Sequence, residues 1–363
     1  MKFRCERDLL VEGLNIASKA VTNRGTLPVL HGLRLDLSGN TLVITGSDLD
    51  LTITVSLEVG GEVNGVAVIP AKLLSDVVRA VEPGAVDITA EDTNLHVIAG
   101  RSEFSLRTIP KDEYPNFDEP SSTPVTVNGA NLVKALEQVT PAASSDDSRP
   151  ILTGVYMVAE KDGFRLVATD SYRLAVRDMP GASLLDGQEP ILVPSRALTE
   201  LSRLIVGEDE VSLYLSERDA SFVVKNVRMT TRLIEGEFPD YQRLVPENNP
   251  NTLTANRGEL FDAVRRVRLL AQEATPVRLE MSDAGLELIA KTQDIGEAHE
   301  TVDASYLGEE LVIAFNAEYL LKGLEIAPGE EVTLETTDNQ KPAVLKSVDH
   351  PEFLYLLMPV RIS

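Results

Sequence analysis

The feature that most constrains this chain is its internal repetition at intervals of 122 to 128 residues. Leu10, Leu14 and Ala17 form an i, i+4, i+7 apolar stripe, which recurs at Leu132, Leu136 and Val139 and again at Leu260, Val264 and Val267. Such spacing puts three side chains on one face of a helix. Asn128 and Asn256 stand four residues before the second and third stripes, where an N-cap belongs. A second helix is predicted after each stripe, opening at Pro70-Ala71-Lys72-Leu73-Leu74, Pro194-Ser195-Arg196-Ala197-Leu198 and Asn316-Ala317-Glu318-Tyr319-Leu320. The first two openings carry proline, which suits a first helical turn. Between the paired helices lie apolar runs that read as strands: Leu42 to Asp48, Leu166 to Asp170, and Leu286 to Thr292. Tyr114-Pro115-Asn116-Phe117 and Phe238-Pro239-Asp240-Tyr241 close the first two copies, with their prolines 124 residues apart.

A period this long is a domain rather than a solenoid unit. Three domains are expected, 1–120, 121–246 and 247–363, with joints at Glu119-Pro120-Ser121-Ser122-Thr123-Pro124 and Pro246-Glu247-Asn248-Asn249-Pro250. Each is an α+β layer of two helices on one face of a sheet. At 363 residues and 43% hydrophobic content, the chain has enough apolar material for a core in each.

Composition bounds the function. Lys and Arg number 34 against 57 Asp and Glu, a net charge of −23 that at first sight argues against a nucleic-acid partner. The single cysteine, Cys5, allows no intramolecular disulfide and no cysteine-built zinc site, and reads as a packed residue of a protein from a reducing compartment. The charged segment Met1 to Asp8 lacks the apolar stretch of a secretory signal, and no run is long enough for a membrane helix. A cytoplasmic protein is expected.

Catalytic constellations are missing. There is no phosphate-binding G-x-x-x-x-G-K-[ST] loop, no G-x-G-x-x-G, no H-E-x-x-H and no G-x-S-x-G. His31, His96, His299 and His350 are scattered singly. Asp48 and Asp50 would share one face if their segment were an alternating strand, which leaves a carboxylate-bound metal enzyme as one competing reading. Otherwise neither a catalytic set, a metal site nor a cofactor is expected.

Four segments carry a resemblance that covers the full length: Thr26-Leu27-Pro28-Val29-Leu30, Val167-Ala168-Thr169-Asp170-Ser171-Tyr172-Arg173-Leu174-Ala175, Gly236-Glu237-Phe238-Pro239-Asp240-Tyr241 and Leu357-Met358-Pro359-Val360-Arg361. With the threefold repeat, they make the chain closely resemble the bacterial DNA polymerase III beta subunits, the sliding clamps. The resemblance implies a DNA clamp fold that dimerises head to tail into a six-domain ring, helices lining the hole. Such a ring is a noncatalytic processivity factor that tethers the polymerase to duplex DNA without sequence preference. Geometry agrees: six domains of about 35 Å diameter in a hexagon leave a hole of roughly 25–30 Å, wider than a duplex of about 20 Å, whereas three leave almost none.

Under this reading the charge must be segregated. Lys19, Lys72, Arg79, Lys134, Arg196, Arg203, Arg265, Arg266, Arg268 and Lys322 lie on or beside the helices, with Arg24 and Arg149 in adjoining loops, while acids crowd turns such as Glu208-Asp209-Glu210. A positive lining within a negative exterior holds DNA loosely. The resemblance puts Arg24 and Lys72 at positions that meet DNA in similar clamps and Arg149 in a DNA-facing loop, although Asp146 stands in that loop where similar clamps carry an uncharged residue; Arg79, Arg196 and Arg203 join them as DNA-contact candidates from their place on the helices.

The resemblance also implies a groove for short, partly hydrophobic peptides of the polymerase III alpha subunit, the clamp loader and other proteins with a clamp-binding motif. The matching positions are Leu152, Thr169, Ser171, Tyr172, Arg173, Leu174, Pro239, Arg243, Leu244, Asn316, Tyr319, Pro342, Leu356, Met358, Pro359, Val360 and Arg361. Taken without it, Leu174 and Leu356 read as core. Ser171, Tyr172 and Val360 depart from similar clamps and bear on peptide preference. Phe104, Leu106, Leu269 and Leu270 match the homodimer contact. A peptide-binding scaffold that never encircles DNA is the remaining alternative.

Overall fold

A computed structural model describes residues 1–22, 27–91, 93–117, 120, 122–182, 185, 187–246, 248–271 and 275–361. Arg24 therefore lies outside the described residues, as do Thr26, Glu119, Ser121 and Glu247 from the segments quoted above. The chain packs as two compact units, Met1–Ala130 with Arg203–Leu233, and Asn131–Ser202 with Ile234–Ser363.

The first helix of each repeat forms where its stripe predicts: α1 at Arg7–Ala17 and, ahead of the second and third, β-bridging residues lead into Gly129–Val139 and Arg257–Val267. All nine stripe residues are buried. Numbered along the chain, the helices are α1, α2 (Ala71–Ala80), α3 (Gly129–Val139), α4 (Ser195–Leu204), α5 (Arg257–Val267) and α6 (Ala317–Ile326). The Asn256 side chain caps α5 by accepting the Glu259 N–H, as its position predicts. Asn128 donates through its amide to Glu208 Oε2 at 2.8 Å. The prolines sit one step earlier than expected: Pro70 and Pro194 end strands, and the helices begin at the next residue.

The first unit holds two antiparallel sheets. Five strands run in the order Gly60–Val63, Lys2–Glu6, Ala85–Glu91, Asn94–Ala99, Ser102–Arg107. Eight run in the order Val125–Asn128, Glu210–Leu215, Asp219–Val224, Val227–Arg232, Leu51–Glu58, Thr41–Ser47, Gly32–Ser38, Gly65–Pro70. The eight-stranded sheet joins two repeats through Ile53 opposite Met229 and Val55 opposite Val227. Helix α1 closes directly on this sheet. A Cβ at Gly46 would sit 2.2 Å from the Ala17 carbonyl oxygen, so only glycine fits there.

The second unit repeats the plan. Nine strands run Ile191–Pro194, Gly154–Glu160, Gly163–Thr169, Arg173–Pro180, Phe353–Leu357, Ala343–Ser347, Glu331–Thr336, Asn251–Asn256, Ala304–Leu307, and four run Gly296–Val302, Gly285–Thr292, Val277–Ser282, Leu311–Phe315. Repeats meet here through Leu174 opposite Leu356 and Ala175 opposite Tyr355.

The expectation that Asp48 and Asp50 share a strand face is wrong. Strand Thr41–Ser47 ends before them, Leu49 takes φ +79°, and Asp48 Oδ1 accepts the N–H groups of Asp50 (3.2 Å) and Leu51 (2.8 Å). The carboxylate closes a turn, the ordinary use of aspartate at such a site. Cys5 is buried, and burial pushes its thiol up to about 12, so it is no nucleophile.

Candidate functional site

The turn of Asp48 recurs in the second repeat, 122 residues later, and there it builds a surface feature. Ser171 has φ +80°, Asp170 Oδ1 accepts the N–H groups of Tyr172 (2.9 Å) and Arg173 (3.0 Å), and the Thr169 hydroxyl donates to the Arg173 carbonyl (2.7 Å). The Ser171 N–H donates to Thr169 Oγ1 at 3.1 Å. Both Thr169 and Asp170 are buried, so the turn is fastened from beneath. Its two central side chains then diverge.

Tyr172 points outward and is 57% exposed. Arg173 folds back, with Nε 2.9 Å from Asp170 Oδ2 and its guanidinium 4.6 Å from the centre of the Tyr319 ring. Burial works against this cation, but Tyr355 and Asp170 outweigh it and hold its pKa above the ordinary value. The Tyr172 ring lies along Tyr319 at 6.2 Å and 25°. Tyr319 is oriented from below by the Asn316 cap, whose Oδ1 accepts the Glu318 and Tyr319 N–H groups, and its carbonyl accepts the Tyr355 hydroxyl at 3.2 Å. Burial pushes Tyr355 up to about 12, so it stays a neutral donor.

The carboxyl-terminal segment is tied to the same place. Met358 N–H donates to the Tyr172 carbonyl (2.9 Å) and Val360 N–H to the Ala314 carbonyl (2.8 Å). Tyr172, Leu244, Met358 and Val360 are all large apolar side chains left exposed. Leu174 and Leu356 are fully buried beside Val167, Val176 and Tyr241, with Phe238 and Val245 against them, so they form a floor rather than an open wall. The Phe238 ring stacks on Tyr156 at 4.9 Å and meets Tyr241 edge-on at 6.4 Å, which explains the aromatic spacing of the Phe-Pro-Asp-Tyr segment. Pro239 and Arg243 are exposed, Arg243 pairing with Asp240 at 2.7 Å. Leu152, Pro342 and Pro359 are half-buried and Arg361 is exposed. Asp170, Tyr355 and Ala314 were missed from sequence; the recurrence of Asp48 at Asp170 was the available signal for the first.

Lys72 and Arg79 are exposed on α2, and Arg196 and Arg203 are exposed seven residues apart on α4, which puts each pair on one helical face. Lys19 and Lys134 are exposed too. Arg149 is occupied within its own loop: Nε lies 2.9 Å from Asp146 Oδ2, with longer bonds to the Asp170 carbonyl and Ser144 Oγ (both 3.4 Å). Hydrogen bonds from Ser148, then Arg149, hold the Asp146 carboxyl below its usual range. The third repeat tempers the expected positive lining. Arg265 pairs with Asp262 (3.0 Å), Arg266 with Glu300, Arg268 with Glu318, and Lys322 with Glu325 (2.8 Å). Exposed pairs of this kind contribute about 0–1 kcal/mol, so a phosphate can displace the acids at little cost.

At the expected dimer contact, Leu269 is 83% exposed on a 3-10 turn, Arg268–Leu270, while Leu270 is half-buried and its carbonyl accepts the Thr292 hydroxyl at 2.5 Å. Phe104 is half-buried on Ser102–Arg107, the free edge of its sheet. Leu106 is buried in its own unit and leaves little surface for a partner. No helix of the described residues is long and apolar enough to cross a membrane.

Three family models cover the chain in order: the DNA polymerase III beta subunit N-terminal domain matches residues 1–118, the central domain 126–240 and the C-terminal domain 242–361. A beta sliding clamp from Streptomyces coelicolor is 35% identical, and one from Staphylococcus epidermidis 32%, with at least 99% of each chain covered. The crystal structure of the DNA polymerase sliding clamp from Bacillus subtilis superposes with a TM-score of 0.96 at 29% identity, covering 100% of both chains. A Pseudomonas aeruginosa sliding clamp bound to griselimycin does so at 0.94 and 29%, again over 100% of both.

Proposed function

This chain belongs to the family of bacterial DNA polymerase III beta subunits, the sliding clamps, and we propose that two copies close head to tail into a ring that encircles duplex DNA and captures partner peptides on the Tyr172–Arg173–Tyr319 surface. Its role is that of a noncatalytic processivity factor for DNA polymerase III. The domains are taken as 1–120, 121–246 and 247–363, and the ring works in the cytoplasm.

The observation that carries the peptide reading is a rigid polar scaffold under an exposed apolar rim. Asp170, Arg173, Tyr319 and Tyr355 fix one another, so Tyr172, Leu244, Met358 and Val360 need little ordering on binding. Met358, unbranched and adaptable, suits several partners. Leu and Phe side chains of the polymerase alpha subunit, the clamp loader and other motif-bearing proteins are the expected ligands. That a relative is bound to griselimycin supports a ligand groove in the family.

DNA is held by topology and by nonspecific contacts from Lys72, Arg79, Arg196 and Arg203, with Arg24 a further candidate and Arg149 joining only when Asp146 releases it. Leu269 of one copy meets the Phe104 edge strand of the next. The test is primer extension by the replicative polymerase and clamp loader on a primed single-stranded circle. Long products that shorten when the chain is omitted support the proposal; equal product lengths contradict it.

A further inference from the structure

We infer that the ring contact carries a proton-sensitive pair, His299 of one copy against Glu103 of the next, which tightens the ring as the pH falls from 8 to 6. The pair exists only if the head-to-tail ring proposed above forms, and its register is set by the protomer's own repeats. Each repeat has a turn with one residue at positive φ, Leu49, Ser171 or Asp294, and in each a strand begins two residues later: Leu51–Glu58, Arg173–Pro180 and Gly296–Val302. The first two are paired by the last strand of the following repeat, Leu51 opposite Thr231 and Arg173 opposite Leu357. The third has Gly285–Thr292 on one side and a free edge on the other among the described residues. The unmatched last strand is Ser102–Arg107 of the first repeat, also an edge. Its hairpin with Asn94–Ala99 matches, residue for residue, that of Val227–Arg232 with Asp219–Val224, 125 positions later.

Carried to two copies, this register lays Leu106 of one copy against Gly296 of the next, Phe104 against Ala298 and Glu103 against His299. Burial agrees with it. Phe104, Leu106, Ala298 and Val302 take the more buried positions of their strands, Glu103 and His299 are exposed, and a slip of one residue would put Glu103 against the buried face. Side chains directly opposite on antiparallel strands have Cβ atoms about 5 Å apart, within reach of a glutamate and an imidazole. Within one copy His299 Nδ1 lies 2.8 Å from Glu287 Oε1 and Nε2 3.8 Å from Glu297 Oε1. Lys291, then His299, holds the Glu297 carboxyl below its usual range, so it stays ionised throughout this interval. Arg278 and Glu280 stand on the next strand, and Arg101, Arg107 and His96 flank Glu103 in the other copy. At pH 8 the contact adds Glu103 to a face already carrying Glu287 and Glu297; a proton on His299 sets a cation directly opposite it. The dimer therefore holds that proton more tightly than the free copy, a preference present at low pH and lost as the pH rises.

The test is the dimer constant of the full-length chain, read by sedimentation velocity from nanomolar to micromolar protein at pH 8 and pH 6 and at one low ionic strength, where a surface pair is least screened. Such a pair is worth about threefold at each contact, and the ring has two, so the Kd of the parent should fall about tenfold at pH 6. His299→Gln and Glu103→Gln should each remove most of that change, and the double variant no more than either alone. His96→Gln, which deletes the other histidine near the contact, should keep it. His299 and Glu103 are exposed on edge strands, so their variants should fold as the parent does. A dimer with the same Kd at both pH values, or a pH response that survives His299→Gln or Glu103→Gln, overturns the pair and leaves the ring standing. No dimer at micromolar protein at either pH refutes the ring, and the pair with it.

Discussion

Leu269→Ala separates the ring contact from the fold of the protomer. Leu269 is 83% exposed in the single chain, so its side chain stabilises nothing internal and its truncation should leave protomer stability within about 0.5 kcal/mol. At a buried contact the balance changes. Alanine lacks three carbons of leucine, at about 0.8 kcal/mol each, which scaled by the exposed fraction gives about 2 kcal/mol per contact. A head-to-tail ring of two copies has two equivalent contacts, so the loss doubles to about 4 kcal/mol, roughly a thousandfold in Kd. Sedimentation velocity from nanomolar to micromolar concentration reads the dimer, and amide-exchange protection of α5 reads the protomer. An unchanged dimer constant would remove Leu269 from the contact. Lost α5 protection in the isolated variant would refute the argument from exposure.

Arg173→Ala should weaken a polymerase-tail peptide by about 1–3 kcal/mol by freeing Tyr319 from the guanidinium, and Arg173→Lys should fall between, keeping the charge at Asp170 without the planar stack; calorimetric titration giving three equal affinities would contradict this. Deleting residues 358–363 removes Met358, Val360 and their backbone bonds to Tyr172 and Ala314, and should abolish binding of a fluorescent peptide while the dimer persists; parental affinity in the truncated dimer would place the partner site elsewhere. Asp146→Asn should release Arg149 toward DNA and steepen the log–log salt dependence of duplex binding by about 0.9, one added phosphate contact; an unchanged slope would make Arg149 a purely structural brace.

Much of the helical framework was legible because each first helix hides one stripe against a sheet, and amphipathic spacing survives any arrangement of neighbours. Strand partnership was not. Alternation says which face of Leu51–Glu58 is buried but not that Val227–Arg232, from the next repeat, lies beside it. The Asp48 error came from extending a strand period into a turn that a positive φ at Leu49 had already ended. Of the peptide surface, the exposed members and the Arg173 turn were reachable through the family resemblance, while Tyr355 is a core residue by every sequence criterion and enters through its hydroxyl, which bonds the Tyr319 carbonyl and acts on Arg173. Two partners of third-repeat cations were equally hidden, since Glu300 and Glu318 lie 34 and 50 residues from Arg266 and Arg268.

Encirclement is tested most directly by loading the protein on a circular duplex, removing free protein by gel filtration, and cutting half of the sample once with a restriction enzyme. Retention on the intact circle with loss from the cut molecule, persisting at salt concentrations that abolish nonspecific binding, is the predicted result. Equal retention or equal loss in both samples would contradict a ring around DNA.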